Sequence, residues 1–190
     1  MRVLIAEDDP VIALGLEAKL TAAGHKVVGR VGDGRAAVAA AEDAQPDAVV
    51  MDLVMPGMDG LEAARQIARG GGVAIVAITA HDDPQLVARA IDAGVAAYLV
   101  KPVDARQVDS ALRLAVARYA EFQALRAEVD RLSDALEARK LVERAKGILM
   151  DRANLTESEA FTRIQSRARG TNQTMRHVAQ QIIDASKLLG

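Results

Sequence analysis

Short apolar runs recur at steady intervals over the first 118 residues, at 3–6, 27–28, 48–51, 73–78 and 97–100. Each is bounded by charge, Gly or Pro. Between them lie stretches rich in Ala, Leu and Arg with helical spacing, at 10–23, 35–44, 60–69, 85–93 and 105–117. Such alternation predicts βαβ units. Apolar strands without in–out alternation predict a parallel sheet covered on both faces. The punctuation agrees. Asp9-Pro10 reads as an N-cap followed by Pro at the first helical position. Gly24 and Gly94 each follow a helical stretch, where a left-handed residue is wanted.

After Ala117 no strand-like run returns. Phe122, Leu125, Val129, Leu132 and Leu136 are spaced 3, 4, 3 and 4 apart, an a/d seam of two to three heptads. No Gly or Pro separates it from the preceding helix, so one helix over about 104–139, about 50 Å long, is expected. Three more helices are expected beyond it. The first, over 141–152, carries Leu141, Val142, Ala145, Ile148 and Leu149. The second starts at Thr156, whose capping box is completed by Glu159. Ala160, Phe161 and Ile164 form its apolar face, and Gly170 ends it. The third is capped by Thr174 or Asn172, with Met175, Val178, Ala179, Ile182 and Ile183 inside. At about 50 residues this unit is too small to be robust alone and is expected to lean on the coiled coil or a partner. The resulting division is 1–118, 119–139 and 140–190.

Composition narrows the function classes. The chain is 51% hydrophobic but only 2% aromatic, so its core must be built from Val, Ile, Leu, Met and Ala. It has no cysteine, which excludes a disulfide scaffold, a thiolate zinc site and a cysteine nucleophile. No signal-like segment opens it and no apolar run is long enough to span a membrane, so a cytoplasmic chain is expected. The net charge of −2 divides unevenly. Through Arg118 there are 12 Lys+Arg against 16 Asp+Glu, a net of −4. From Arg139 onward there are 10 against 5, a net of +5, so only the C-terminal third favours a polyanion.

Polar residues interrupt four of the apolar strands at the same edge. Glu7, Asp8 and Asp9 end the first, Asp52 the third, Thr79 the fourth and Lys101-Pro102 the fifth. In an open parallel sheet the carboxyl ends of the strands form the ligand crevice. Converging carboxylates repel unless a cation joins them, and an all-oxygen set suits Mg²⁺. A metal beside a carboxylate and a lysine is a phosphoryl-transfer arrangement, in which the carboxylate attacks phosphorus while the cations neutralise the oxygens. Asp9 fits the helix cap better than the site.

Residues 1 to about 118 resemble a receiver domain of two-component response regulators. The residues that carry the resemblance are Ala6-Glu7-Asp8, Met51-Asp52, the stretch from Met55-Pro56-Gly57 to Met58-Asp59-Gly60, Thr79-Ala80 and Lys101-Pro102. The resemblance implies a flavodoxin-like α/β fold with a five-stranded parallel sheet and five helices. It implies a cis Lys101-Pro102 bond, and Asp52 as acceptor of phosphate from a sensor histidine kinase. Mg²⁺ would be bound by Asp8, Asp52, the backbone carbonyl of Val54, and Glu7 through water. Lys101 and Thr79 would assist, and Thr79 and Tyr98 would form the switch. No separate enzyme activity is expected beyond self-catalysed phosphorylation and dephosphorylation. Glu7 departs from the pattern, where Asp is common, but keeps the charge.

Residues 138–186 resemble an ANTAR domain, through the segments Leu141-Val142-Glu143-Arg144-Ala145-Lys146-Gly147-Ile148-Leu149-Met150, Thr156-Glu157-Ser158-Glu159-Ala160-Phe161 and Met175-Arg176-His177-Val178-Ala179. The resemblance implies an RNA-binding antiterminator that grips paired hairpins in a transcript leader as a homodimer. Arg144, Lys146, Arg163, Arg167, Arg169 and Arg176 are the candidate RNA contacts. The alternative is a DNA-binding response regulator with a helical output, disfavoured because Arg176 is the only Lys or Arg inside the third helix before Lys187.

Overall fold

The computed structural model describes residues 1–80 and 83–188; the expected C-terminal boundary at residue 190 lies outside them. The chain divides into two compact units, Met1–Gln123 and Ala124–Gly190.

The first unit is an α/β layer structure. Strands β1 (Arg2–Ala6), β2 (Lys26–Val31), β3 (Ala48–Met51), β4 (Ala74–Thr79) and β5 (Ala97–Val100) pair in the order β2-β1-β3-β4-β5. Every pairing is parallel. Helices α1 (Pro10–Ala22), α2 (Gly34–Ala44), α3 (Gly60–Gly70) and α4 (Pro84–Asp92) connect successive strands. This is the flavodoxin-like order, with its switch point between β1 and β3.

Alternate residues of the same strands feed two cores, which is why the strands read as unbroken apolar runs. Leu4, Ala6, Val49, Met51, Ile75 and Ala77 pack with Ala37 and Ala41 of α2, Leu61, Ala64 and Ile67 of α3, and Ala90 of α4. Val3, Ile5, Val50, Val76 and Ile78 pack on the other face with Leu16 and Leu20 of α1 and with Val108, Leu112 and Ala115 of the next helix. With so few aromatics, small residues on α2 and α3 let the helices approach the sheet closely. The caps behave as expected. Asp9 accepts from the N–H groups of Val11 and Ile12, and Gly24 and Gly94 have φ of 81° and 87°.

Helix α5 runs unbroken from Ala105 to Ala153, about 73 Å at 1.5 Å per residue. This corrects two expectations: the helix does not stop near Arg139, and 141–152 is its C-terminal end rather than a separate helix. Two polar contacts hold its N-terminal part against the first unit. His25 Nε2 lies 2.8 Å from an Asp109 carboxylate oxygen, and the Tyr119 hydroxyl accepts from the Gly72 N–H at 2.6 Å.

In the second unit α6 (Glu157–Thr171) and α7 (Met175–Leu188) pack against the end of α5. Ala145, Ile164, Ala168, Val178, Ala179 and Ile183 form the core, flanked by Leu141, Ile148, Leu149 and Met175. The capping box at Thr156 is present in both directions. Gly170 does not end α6. The left-handed residue is Asn172, with φ of 52°, and the helix runs on to Thr171. The Thr174 hydroxyl accepts from the His177 N–H at the start of α7. Phe161 is also misplaced by the sequence reading. It is 41% exposed and does not belong to the core.

Candidate functional site

The carboxyl edge of the sheet is assembled by backbone pairing. The N–H of Glu7 bonds Val31 O and that of Asp52 bonds Ala6 O, which sets the two acidic residues just beyond β1 and β3. The Lys101 N–H bonds Thr79 O, bringing the ends of β4 and β5 together. The Lys101-Pro102 peptide is cis. Gly60 opens α3 directly against the backbone carbonyl of Asp52, where any Cβ would collide. Sequence reading placed Gly60 in the motif without a role. Its use is to let α3 close on the strand end that carries Asp52.

Glu7, Asp52 and Thr79 are buried, while Asp8 is exposed. The Lys101 ammonium donates to both carboxylate oxygens of Glu7, at 3.0 and 2.7 Å, and to Asp52 Oδ2 at 2.6 Å. The other Asp52 oxygen accepts from the Val54 N–H at 2.9 Å. Burial pushes the Glu7 carboxyl above the usual carboxylate range, aided by the Asp52 charge and opposed by Lys101. Burial alone would lower the Lys101 pKa, but its bonds to Asp52 and Glu7 outweigh that and raise it. The ammonium therefore stays charged inside the pocket.

One oxygen from each of Glu7, Asp8 and Asp52 falls within a 4.8 Å cluster. A depression of about 590 Å³ lined by Glu7, Asp8, Pro10, Arg30 and Gly32 opens on it. Three hard oxygen donors, one of them exposed to solvent, fit a Mg²⁺ that keeps several waters. The Val54 side chain is exposed and its N–H faces Asp52. Tyr98 is half-buried on β5 and packs against the α2–α3–α4 core. Asp9 caps α1 and Asp59 caps α3 through the Glu62 N–H, so neither carboxylate belongs to the cluster.

In the second unit the basic residues separate by partner. Lys146 is withdrawn from any ligand surface. It is buried, and its ammonium is held between Glu143 at 2.8 Å and Glu157 at 2.7 Å, tying α5 to the start of α6. These two carboxylates raise its pKa. Its spacing in the sequence gave no sign of this, because Glu157 lies 11 residues on. Arg176 is exposed but sits 3.4 Å from Asp134. Arg144, Arg163, Arg167 and Arg169 are exposed and, among the described residues, make no ion pair. Three of these four stand on α6, beyond its first turn, to which the helix's acids are confined.

A family model for the response regulator receiver domain matches residues 3–113, and one for the ANTAR domain matches residues 130–183. The chain belongs to the response regulators. This response regulator is 46% identical over 183 residues to the transcriptional regulatory protein PdtaR of Mycobacterium tuberculosis, covering 96% of the chain and 89% of that protein. Its receiver is similar to that of the putative response regulator NarL from Mycobacterium tuberculosis, with 30% identity and a TM-score of 0.59 over 61% of this chain and 95% of that one. It is also similar to the receiver domain of the sensor histidine kinase PA1611 from Pseudomonas aeruginosa. There the identity is 33% and the TM-score 0.56, over 61% of this chain and 97% of that one. That structure has a magnesium ion coordinated in its active-site cleft. The response regulator is thus controlled by phosphorylation and carries an RNA-binding output domain of the antitermination type; the DNA-binding alternative is not favoured. Among the described residues, no helix is long and apolar enough to cross a membrane.

Proposed function

We propose that Asp52 is the phosphoacceptor and that its phosphorylation controls RNA binding by the output domain. The observation that carries this is the Lys101 ammonium shared between Asp52 and Glu7, with Asp8 completing a cluster of oxygen donors. In this reading Asp52 attacks the phosphorus of a phosphohistidine on a sensor kinase. The P–N bond breaks, the imidazole leaves, and an acyl phosphate remains. Glu7, Asp8, Asp52 and the Val54 carbonyl would hold Mg²⁺, which when bound neutralises phosphoryl oxygens. Lys101 supplies the other positive charge. The Thr79 hydroxyl at the end of β4 bonds the phosphoryl group, and Tyr98 on the neighbouring strand follows Thr79. The same pocket supports self-catalysed phosphorylation from small donors and self-catalysed loss of phosphate.

The working division is a receiver over 1–118, a dimerising segment over 119–139 and an ANTAR output over 140–190. The receiver works in the cytoplasm, where it meets its sensor kinase. The output grips two linked leader hairpins as a homodimer, because pairing two weak modules raises the effective concentration of the second contact. Arg144, Arg163, Arg167 and Arg169 supply phosphate contacts, with Arg176 available once it leaves Asp134.

Treatment with acetyl phosphate and Mg²⁺, followed by mapping of the hydroxylamine-sensitive acyl phosphate, tests the first half. Label is expected on Asp52 and absent from Asp52→Asn. Label persisting in that variant refutes the assignment. For the second half, the phosphorylated chain should bind a two-hairpin RNA more tightly than a single hairpin or duplex DNA. Equal affinity for all three would reject it.

A further inference from the structure

Phe161 is an exposed aromatic in a segment otherwise without one, 41% exposed and outside the buried core of the second unit. The core of α6 is the row Ala160, Ile164 and Ala168. At about 100° per residue, Phe161 is turned off the centre of that row, toward the face that continues through Gln165 and Arg169. Just beyond it, the last turn of α6 and the α6–α7 turn enclose a groove of about 470 Å³. Gln165, Arg169, Asn172, Gln173, Thr174 and Met175 line it. Asn172 is held there in the left-handed conformation, and the Gln173 N–H is fixed on Ala168 O. The groove's wall therefore has a defined shape. Arg169 has no ion-pair partner among the described residues, and Arg163 and Arg167 on the opposite flank have none.

We propose that Phe161, together with Gln165 one turn on at the near edge of this groove, takes one unpaired nucleobase of an RNA hairpin loop. The inference rests on the RNA-binding reading and deepens it by assigning where sequence is read. Phe161 offers a flat apolar face for stacking, which tolerates any base. The Gln165 amide offers a donor and an acceptor matched to a base edge, which discriminate between bases. Arg163 and Arg167 face away from this pair and meet phosphates, which carry no sequence information. Recognition is thereby split across one helix, base on one flank and backbone on the other.

The test uses the full chain and a pool of RNA hairpins with one fixed stem and a randomised loop. Wild type should enrich a preferred base at one loop position. Phe161→Ala should bind the enriched hairpin roughly 5- to 150-fold more weakly, the range for loss of one base–aromatic stack. With that nucleotide made abasic, wild type should bind equally weakly and Phe161→Ala should make no further difference. Gln165→Ala should relax the base preference with a smaller loss of affinity. Arg167→Ala should weaken the intact and abasic hairpins by the same factor. Phe161→Leu and melting curves check that the variant is folded; an exposed ring should be dispensable for that. The inference is overturned if wild type binds the hairpins but Phe161→Ala weakens the intact and abasic forms alike, or neither. If wild type prefers no hairpin over duplex DNA, the RNA reading itself fails.

Discussion

Leu132→Glu should abolish self-association through α5. Leu125, Val129, Leu132 and Leu136 keep 54–63% of their surface exposed in the isolated chain. Complete burial of such a side chain is worth about 1.5–3 kcal/mol, so covering the remaining half contributes about 1 kcal/mol each. Four residues from each of two chains then give about 8 kcal/mol before the cost of association, about 4–15 kcal/mol. The seam alone makes a weak dimer, in the range where a modest bias from the receiver changes its population. Leu132→Ala removes about 1 kcal/mol from each chain, or about 30-fold in Kd. Leu132→Glu also places two carboxylates against each other in an apolar layer, raising the loss beyond about 3 kcal/mol and more than 100-fold. Sedimentation velocity over a concentration series, with and without acetyl phosphate and Mg²⁺, measures this. Asp130→Ala, exposed and off the seam, serves as the control. Unchanged sedimentation of Leu132→Glu would refute the dimer and leave the exposed leucines without an account.

Gly147→Ala should stabilise the protein by about 0.5–1 kcal/mol, since the position lies inside α5 and an added Cβ meets open space; a lower melting temperature would contradict this. Lys146→Met should lower thermal stability of the second unit without changing the salt dependence of RNA binding. Arg144→Ala should instead reduce the slope of log affinity against log salt by about 0.7–0.9, the amount for one phosphate contact. Acid should loosen the start of α6. Hydrogen bonds from Lys146 to Glu157, and from Thr156 to Glu159, hold both carboxyls below their ordinary range. The folded state thus binds fewer protons than the unfolded one, and this stability, complete above the ordinary carboxylate range, is lost as pH falls through the lowered values. Helicity of the second unit, followed by circular dichroism from pH 6 to 3, should show it first in wild type and less in Glu159→Gln; an unchanged profile between them would refute the role of the cap.

The first unit was legible because its signals are local and redundant. Strand runs, capping residues and four polar strand ends all specify the same sheet, and the geometry joins Glu7, Asp8, Asp52 and Lys101 as that pattern implies. The second unit was harder because its three helices are separated only by helix faces. Between Leu136 and Leu141 the apolar stripe jumps by five residues, which looks like the end of one helix and the start of another. The backbone instead continues, and the stripe simply moves to a different side of α5. Likewise Gly170 was the expected stop, yet Asn172 tolerates the left-handed turn well enough to serve. Lys146 and Phe161 exchanged roles for a common reason. Burial in a small helical unit depends on which row faces the neighbours, and Ala160, Ile164 and Ala168 claim that row, leaving the larger ring outside.

The five-residue jump also limits how the length of α5 can vary. Leu125 to Leu136 and Leu141 to Leu149 sit on one uninterrupted helix, so their angular offset is fixed by the number of residues between them. Inserting one residue after Leu136 would swing everything beyond it by about 100°, and inserting two by about 200°. Seven added residues would restore the offset to within about 20° while lengthening the helix by about 10 Å. Viable length variants of this stretch should therefore come in steps of a heptad, with intermediate lengths folding normally but turning the row Leu141 to Leu149 away from its present offset to Leu125 to Leu136.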